Sequence, residues 1–153
     1  MLRCFTIACV LFCAFALSGC GGNSTIATDK VTGLVTLDGT PVEGAGISFT
    51  PVTAGSGRPA FGTSDEKGIY TLTVLGGKPG EGTLPGDYIV TVDKVVPENT
   101  GQMEPDPNEP GQMREKVIAK DLLPLKYKTS GATPLKATVV SGANTINLEL
   151  ESK

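Results

Sequence analysis

Pro85-Gly86-Asp87-Tyr88-Ile89-Val90-Thr91-Val92-Asp93 carries one of the clearest two-residue periods in the chain. Tyr88, Val90 and Val92 fall on one side, and Ile89, Thr91 and Asp93 on the other. A β-strand sends successive side chains to opposite faces, so this pattern gives one face to a core and the other to a partly solvated surface. Pro85-Gly86 punctuates its start. Tyr88 sits where its hydroxyl can tie back to a preceding backbone group, as in the tyrosine corner of β-sandwiches.

The same period recurs on both sides of this stretch. Tyr70, Leu72 and Val74 alternate with Ile69, Thr71 and Thr73, after a turn at Asp65-Glu66-Lys67-Gly68 where Gly68 suits a positive φ. Upstream, Val31, Val35 and Leu37 share one side of a strand, although Leu34 breaks strict alternation, as two partly covered faces allow. Asp38-Gly39 offers a tight turn, and Pro41 cannot continue a central ladder. Gly44 to Phe49 reads as a second strand with Ile47 and Phe49 on one face, and Phe61 to Ser64 as a short third. Gly- and Pro-rich loops lie at Pro51 to Pro59 and Gly76 to Gly86. Downstream, Pro97, Pro105, Pro107 and Pro110 sit among acidic and amide residues, so Val96 to Gln112 reads as an extended or mobile insertion. Met113 to Leu122 predicts a short helix on a weak signal. Leu135 to Val140 and Asn144 to Leu150 close the chain as strands, with Ile146, Leu148 and Leu150 on one side. Short strands between turn signals, without a βαβ pattern, predict an all-β antiparallel sandwich over residues 30–152, with a loop insertion at 97–121.

Before the first strand the composition changes. Arg3 precedes an uncharged apolar run from Cys4 to Leu17, which ends at Ser18-Gly19-Cys20-Gly21-Gly22-Asn23. A membrane span needs roughly 20 apolar residues, and this run stops short. It reads as a secretory leader over residues 1–19. Leu17-Ser18-Gly19-Cys20 fits a lipobox, with Leu at −3, small residues next and the lipidated cysteine first in the mature chain. Small residues let a peptidase seat the backbone, and the Cys20 thiol takes the diacylglyceryl group. Acyl chains such as palmitate add ~0.8 kcal/mol of membrane affinity per buried CH₂, so two or three chains anchor stably. Residues 20–29 read as a flexible tether. These features place the protein at the cell envelope, lipid-anchored, in the outer membrane or facing the periplasm.

All four cysteines lie at or before Cys20, so a chain cleaved there keeps no thiol pair, and its fold rests on apolar packing. Cleavage removes Arg3 and no acidic residue, which takes the formal charge of −3 one unit further negative. No basic cluster invites nucleic acid.

Several fragments together resemble the carboxypeptidase regulatory-like domain. They are Gly33-x-Val35, Gly39-x-Pro41-Val42-x-Gly44-Ala45-x-Ile47-x-Phe49, Asp65-x-x-Gly68-x-Tyr70-x-Leu72 and Pro85-Gly86-x-Tyr88-x-Val90-x-Val92. The tail is similar to that of small bacterial lipoproteins carrying this domain, through Leu123-Pro124-x-Lys126-Tyr127 and Asn144-Thr145-Ile146-Asn147-Leu148-Glu149-Leu150. The resemblance implies a seven-stranded, transthyretin-like Greek-key sandwich without an active site. The insertion after Val96 departs from that compact pattern.

The chain has no His, which removes the usual triads, His metal ligands and the commonest general base. Ser64-x-x-Lys67 matches a serine–lysine motif in spacing but lacks the helix that brings the pair together. Glu104, Asp106, Asn108 and Glu109 offer oxygen ligands, but the intervening prolines prevent an EF-hand loop, and a solvated acidic loop is expected. The expectation is therefore no catalytic residue, no cofactor and no metal. A structural or protein-interaction role fits best, and a tethered carbohydrate- or peptide-binding module is the alternative. Partners would be membrane lipid through Cys20 and an envelope protein or glycan. With no Trp, the candidate ligand contacts are Tyr127 and its neighbour Lys126.

Overall fold

The computed structural model describes residues 27–153. The leader, Cys20 and the tether up to residue 26 lie outside that span. The chain is all-β. Its strands are β1 (Val31–Leu37), β2 (Thr40–Pro41), β3 (Gly46–Pro51), β4 (Ala60–Thr63), β5 (Ile69–Thr71), β6 (Thr73–Val74), β7 (Gly86–Asp93), β8 (Val95–Pro105), β9 (Met113–Asp121), β10 (Lys136–Val139), β11 (Asn144–Thr145) and β12 (Leu148–Leu150). A 3-10 turn at Leu125–Tyr127 is the one helical element among the described residues.

Two sheets enclose the core. In one, β1 is central, with β2 and β5 along one edge and β11 and β12 along the other. The second runs β10-β7-β3-β4-β6. The strands place their alternating apolar residues inward. Val31, Val35, Ile47, Phe49, Tyr70, Leu72, Val74, Tyr88, Val90 and Val92 are all buried. Each aliphatic side chain fully removed from water contributes ~1.5–3 kcal/mol, which is the driving force left to a domain without disulfides. Phe49 lies between the two tyrosines, its ring centroid 6.4 Å from Tyr70 and 5.8 Å from Tyr88. The run from Ile69 to Val74 joins the sheets. Its first half pairs with β1 and its second with β4, and Leu72 N–H donates to Val31 O between them.

The turn residues act as their chemistry requires. Asp38 (φ 48°) and Gly39 (φ 81°) both take left-handed conformations and fold β2 back on β1. Tyr88 Oη donates to Leu84 O at 2.8 Å and lies 3.2 Å from Thr83 Oγ1, so the tyrosine corner is formed.

Two expectations are corrected. The sandwich is not antiparallel throughout, because β1 pairs in parallel with both β11 and β12. Residues 113–121 are strand β9, not a helix, and pair antiparallel with β8. Residues 97–121 are therefore mostly a β-hairpin, not a loop.

The parallel edge is held by an arrangement no local pattern announces. Leu34 N–H donates to the Asn147 side chain, Oδ1, at 3.1 Å, where a regular ladder would offer a main-chain carbonyl. The Ile146 carbonyl accepts from Tyr70 Oη at 2.7 Å. The Tyr70 ring reaches it by crossing Gly33, its direct partner on β1. A Cβ at Gly33 would lie 1.7 Å from Ile146 O and 2.8 Å from the Tyr70 ring, so only glycine leaves room.

Candidate functional site

The part of the molecule that the sandwich does not use is the hairpin. The chain leaves β7 at Asp93 and enters β8 within two residues. Among the described residues, no strand of either sheet pairs with β8 or β9. The register runs from Val95↔Asp121 to Pro105↔Met113, with an irregularity between Asn99 and Met103. There Thr100 Oγ1 donates to Lys116 O at 2.9 Å, and Gly101 N–H to Glu115 Oε1 at 3.2 Å. At the base, Leu122 N–H donates to Lys94 O and Lys128 pairs with Asp121 at 2.6 Å.

Residues opposite one another share a face of the ribbon, so the two faces can be read from the register. One bears two cross-strand ion pairs, Lys120–Glu98 at 2.5 Å and Arg114–Glu104 at 2.7 Å. Both pairs are solvated, so each contributes only ~0–1 kcal/mol. The other face carries Val95, Pro97, Met103, Val117 and Met113, together with Glu115 and Asp121. Val95, Met103, Met113 and Val117 are between 45% and 59% exposed. Every residue of β9 is exposed. A hairpin with two wet faces gains little by forming, so its length is not explained by core packing.

The hairpin springs from the end of the sandwich opposite Asp29. Asp29 exchanges two backbone hydrogen bonds with Thr83, just before β7 begins, and its carboxylate accepts from Gly142 N–H at 2.6 Å. The eight residues of β7 then separate that point from the hairpin's base by roughly 25 Å.

The residues singled out in the sequence have other tasks. Tyr127 is 3% exposed. Its hydroxyl accepts from Glu151 N–H at 2.9 Å and sits 3.4 Å from Glu151 O, tying the 3-10 turn to the end of β12. The Lys126 ammonium lies 4.9 Å from the Tyr127 ring centroid and donates to Lys153 O. The pair is brought together, but the ring has no open face for a sugar. Ser64 is buried, donating to Val42 O at 2.6 Å and accepting from Ala45 N–H at 2.9 Å, while Lys67 N–H bonds to Asp65. Ser64 therefore braces a connection. Glu104 pairs with Arg114, and Asp106 caps Asn108 N–H at the hairpin tip. Among the described residues no group of three Cys, Asp or Glu side chains is placed to hold a metal.

Phe61 was missed. It is 46% exposed on the outer face of the second sheet, with Ser48 and Thr73 as its cross-strand partners. Alternation alone signals it, because Ala60 and Gly62 face the core side of β4.

Two further groups have shifted acidities. Asp38 is held below its usual carboxylate range by hydrogen bonds from Ser152. Burial pushes the Tyr70 phenol above its usual value. Neither lies on the hairpin. No helix among the described residues is long and apolar enough to cross a membrane. No family model, no curated protein and no solved structure matches the chain.

Proposed function

We propose that this is a non-catalytic, lipid-anchored protein of the cell envelope whose role is structural or lies in protein–protein contact. The fold behind it is read as the seven-stranded, transthyretin-like Greek-key sandwich of carboxypeptidase regulatory-like domains, elaborated by the hairpin. The observation that carries the reading is the placement of the two ends. The chain from the lipobox enters beside Thr83, and the solvated hairpin leaves from the far end of β7. Anchored through Cys20, such a domain holds its hairpin away from the bilayer, where an envelope partner can reach it.

The test is site-specific photocrosslinking in cells of the native source. A crosslinker at Val117 on the hairpin should give a discrete adduct with an envelope protein, while one at Lys136 on β10 should not. Equal labelling from both positions, or none from Val117, would count against an interaction role for the hairpin.

A second reading, a glycan-binding module, is favoured by Phe61 alone. A half-exposed ring between hydroxyl-bearing neighbours can stack on a sugar. A glycan array probed with wild type and Phe61→Ala decides it, and uniform absence of binding removes it.

A further inference from the structure

The hairpin offers a hydrogen-bonding edge as well as two faces. Leu122 N–H donates to Lys94 O at the base, and Asp106 N–H to Gln112 O near the tip, both at 2.9 Å. In an antiparallel pair the bonded positions recur at every second residue. Counting from the base, Lys120 and Ile118 turn their main-chain groups toward β8. Counting from the tip, Arg114 does the same. Glu115, Val117 and Ala119 therefore turn N–H and C=O outward, and no strand among the described residues meets them.

The charges on that strand select what can add to it. Arg114, Lys116 and Lys120 share one face of β9. Lys120 and Arg114 have Glu98 and Glu104 beside them, whereas no acidic side chain among the described residues lies within ion-pair distance of Lys116. A second copy adding antiparallel to β9 must keep side chains of one face together. Centred on Val117 it opposes Lys120 to Arg114; centred on Lys116 it opposes that lysine to itself; centred on Ile118 it opposes Lys116 to Lys120. Like charges directly opposite are destabilising, and edge lysines are a usual guard against self-pairing. The same cations complement an acidic strand. On the other face, Val117, Ala119 and Met113 would meet apolar side chains, while Glu115 and Asp121, which share that face, are engaged by Gly101 N–H and Lys128.

We infer that β9 is a strand-addition site for an extended segment of a partner protein bearing Asp or Glu at alternate positions, with apolar residues between. This deepens the reading of the protein as a tethered interaction module by naming the chemistry of the partner. The experiment uses the full chain in detergent micelles and an amidated nine-residue peptide of alternating Glu and Val. A matched peptide with Lys in place of Glu is the comparison. The Glu peptide should bind at least tenfold more tightly than the Lys peptide and weaken as salt rises. Amide hydrogen exchange at Glu115, Val117 and Ala119 should slow at least tenfold on binding, while Ile118 and Lys120 change little. Val117→Pro removes an outward N–H without removing a ladder bond and should weaken binding at least tenfold. Lys116→Glu, which leaves the backbone intact, should weaken it too. No binding of the Glu peptide, equal binding of both peptides, or slowed exchange on another edge such as β10 would overturn the inference. None of these outcomes bears on the lipid at Cys20, which peptide binding in micelles does not require.

Discussion

Replacing Tyr70 with Phe tests the packing of the sandwich at one atom. The substitution keeps the ring that covers Gly33 and removes only the hydroxyl that donates to Ile146 O at 2.7 Å. A typical net hydrogen bond is worth ~0.5–1.5 kcal/mol, but leaving a buried acceptor unpaired raises the loss to about 1–3 kcal/mol. Tyr70 is 1% exposed, so water does not easily replace the hydroxyl, and the upper half of that range is expected. For a domain of this size each kcal/mol moves Tm by roughly 3–5 °C, which gives a fall of about 6–15 °C. The pH dependence distinguishes this bond from general loosening. The Tyr70 phenol is raised above its unfolded value of 10.0 by burial, so its neutral form is favoured in the folded state. That contribution is fully present below pH 10 and is lost as pH rises past 10 toward the folded value. A phenylalanine at that position cannot ionise. The stability gap between wild type and variant should therefore be constant from pH 6 to 9 and shrink above pH 10. Thermal and urea unfolding followed by circular dichroism, on protein lacking residues 1–19, measure the Tm shift and the pH dependence of the gap. A Tm change under ~1 °C, or a gap unaffected by alkaline pH, would refute the reasoning.

Three further outcomes follow from the same geometry. Gly33→Ala forces a Cβ into the Ile146 carbonyl and should destabilise by more than Tyr70→Phe, about 3 kcal/mol or more, if it folds at all; near-neutral unfolding would show that the parallel edge can move away. Tyr88→Phe breaks the tie to Leu84 O and should cost about 1–2 kcal/mol, read in the same urea titration. Replacing residues 96–120 with a two-glycine link should leave unfolding cooperative and shift Tm by less than ~3 °C, since calorimetry should find little buried surface lost with an isolated ribbon.

The inner faces were legible because burial writes a period of two into the sequence. Val31 and Val35, Ile47 and Phe49, Tyr70 to Val74, and Tyr88 to Val92 each alternate and each point into the core. The Asp38-Gly39 turn and the tyrosine corner were legible because a few residue types fix the backbone there. The hairpin was not. Met113-Arg114-Glu115-Lys116-Val117-Ile118-Ala119-Lys120-Asp121 has solvent on both faces, so nothing imposes alternation, and its Ala, Lys, Glu and Arg suit a helix equally well. Its strand state rests on pairing with β8 across the turn at residues 106–112. The parallel edge was hidden for a related reason. Ile146, Leu148 and Leu150 face inward as their spacing says, but which strand they flank is set by Gly33, Tyr70 and Asn147, residues far apart in the chain. Tyr127 looked accessible because it lies among loop-like residues, yet the Glu151 backbone takes its hydroxyl and the core takes its ring.

Mass spectrometry of the N-terminal peptide from envelope-extracted protein decides whether the chain is held by lipid. Cys20 should be the first residue and carry a diacylglyceryl group, with residues 1–19 gone. A chain beginning elsewhere, or one holding Cys20 as an unmodified thiol, would contradict it.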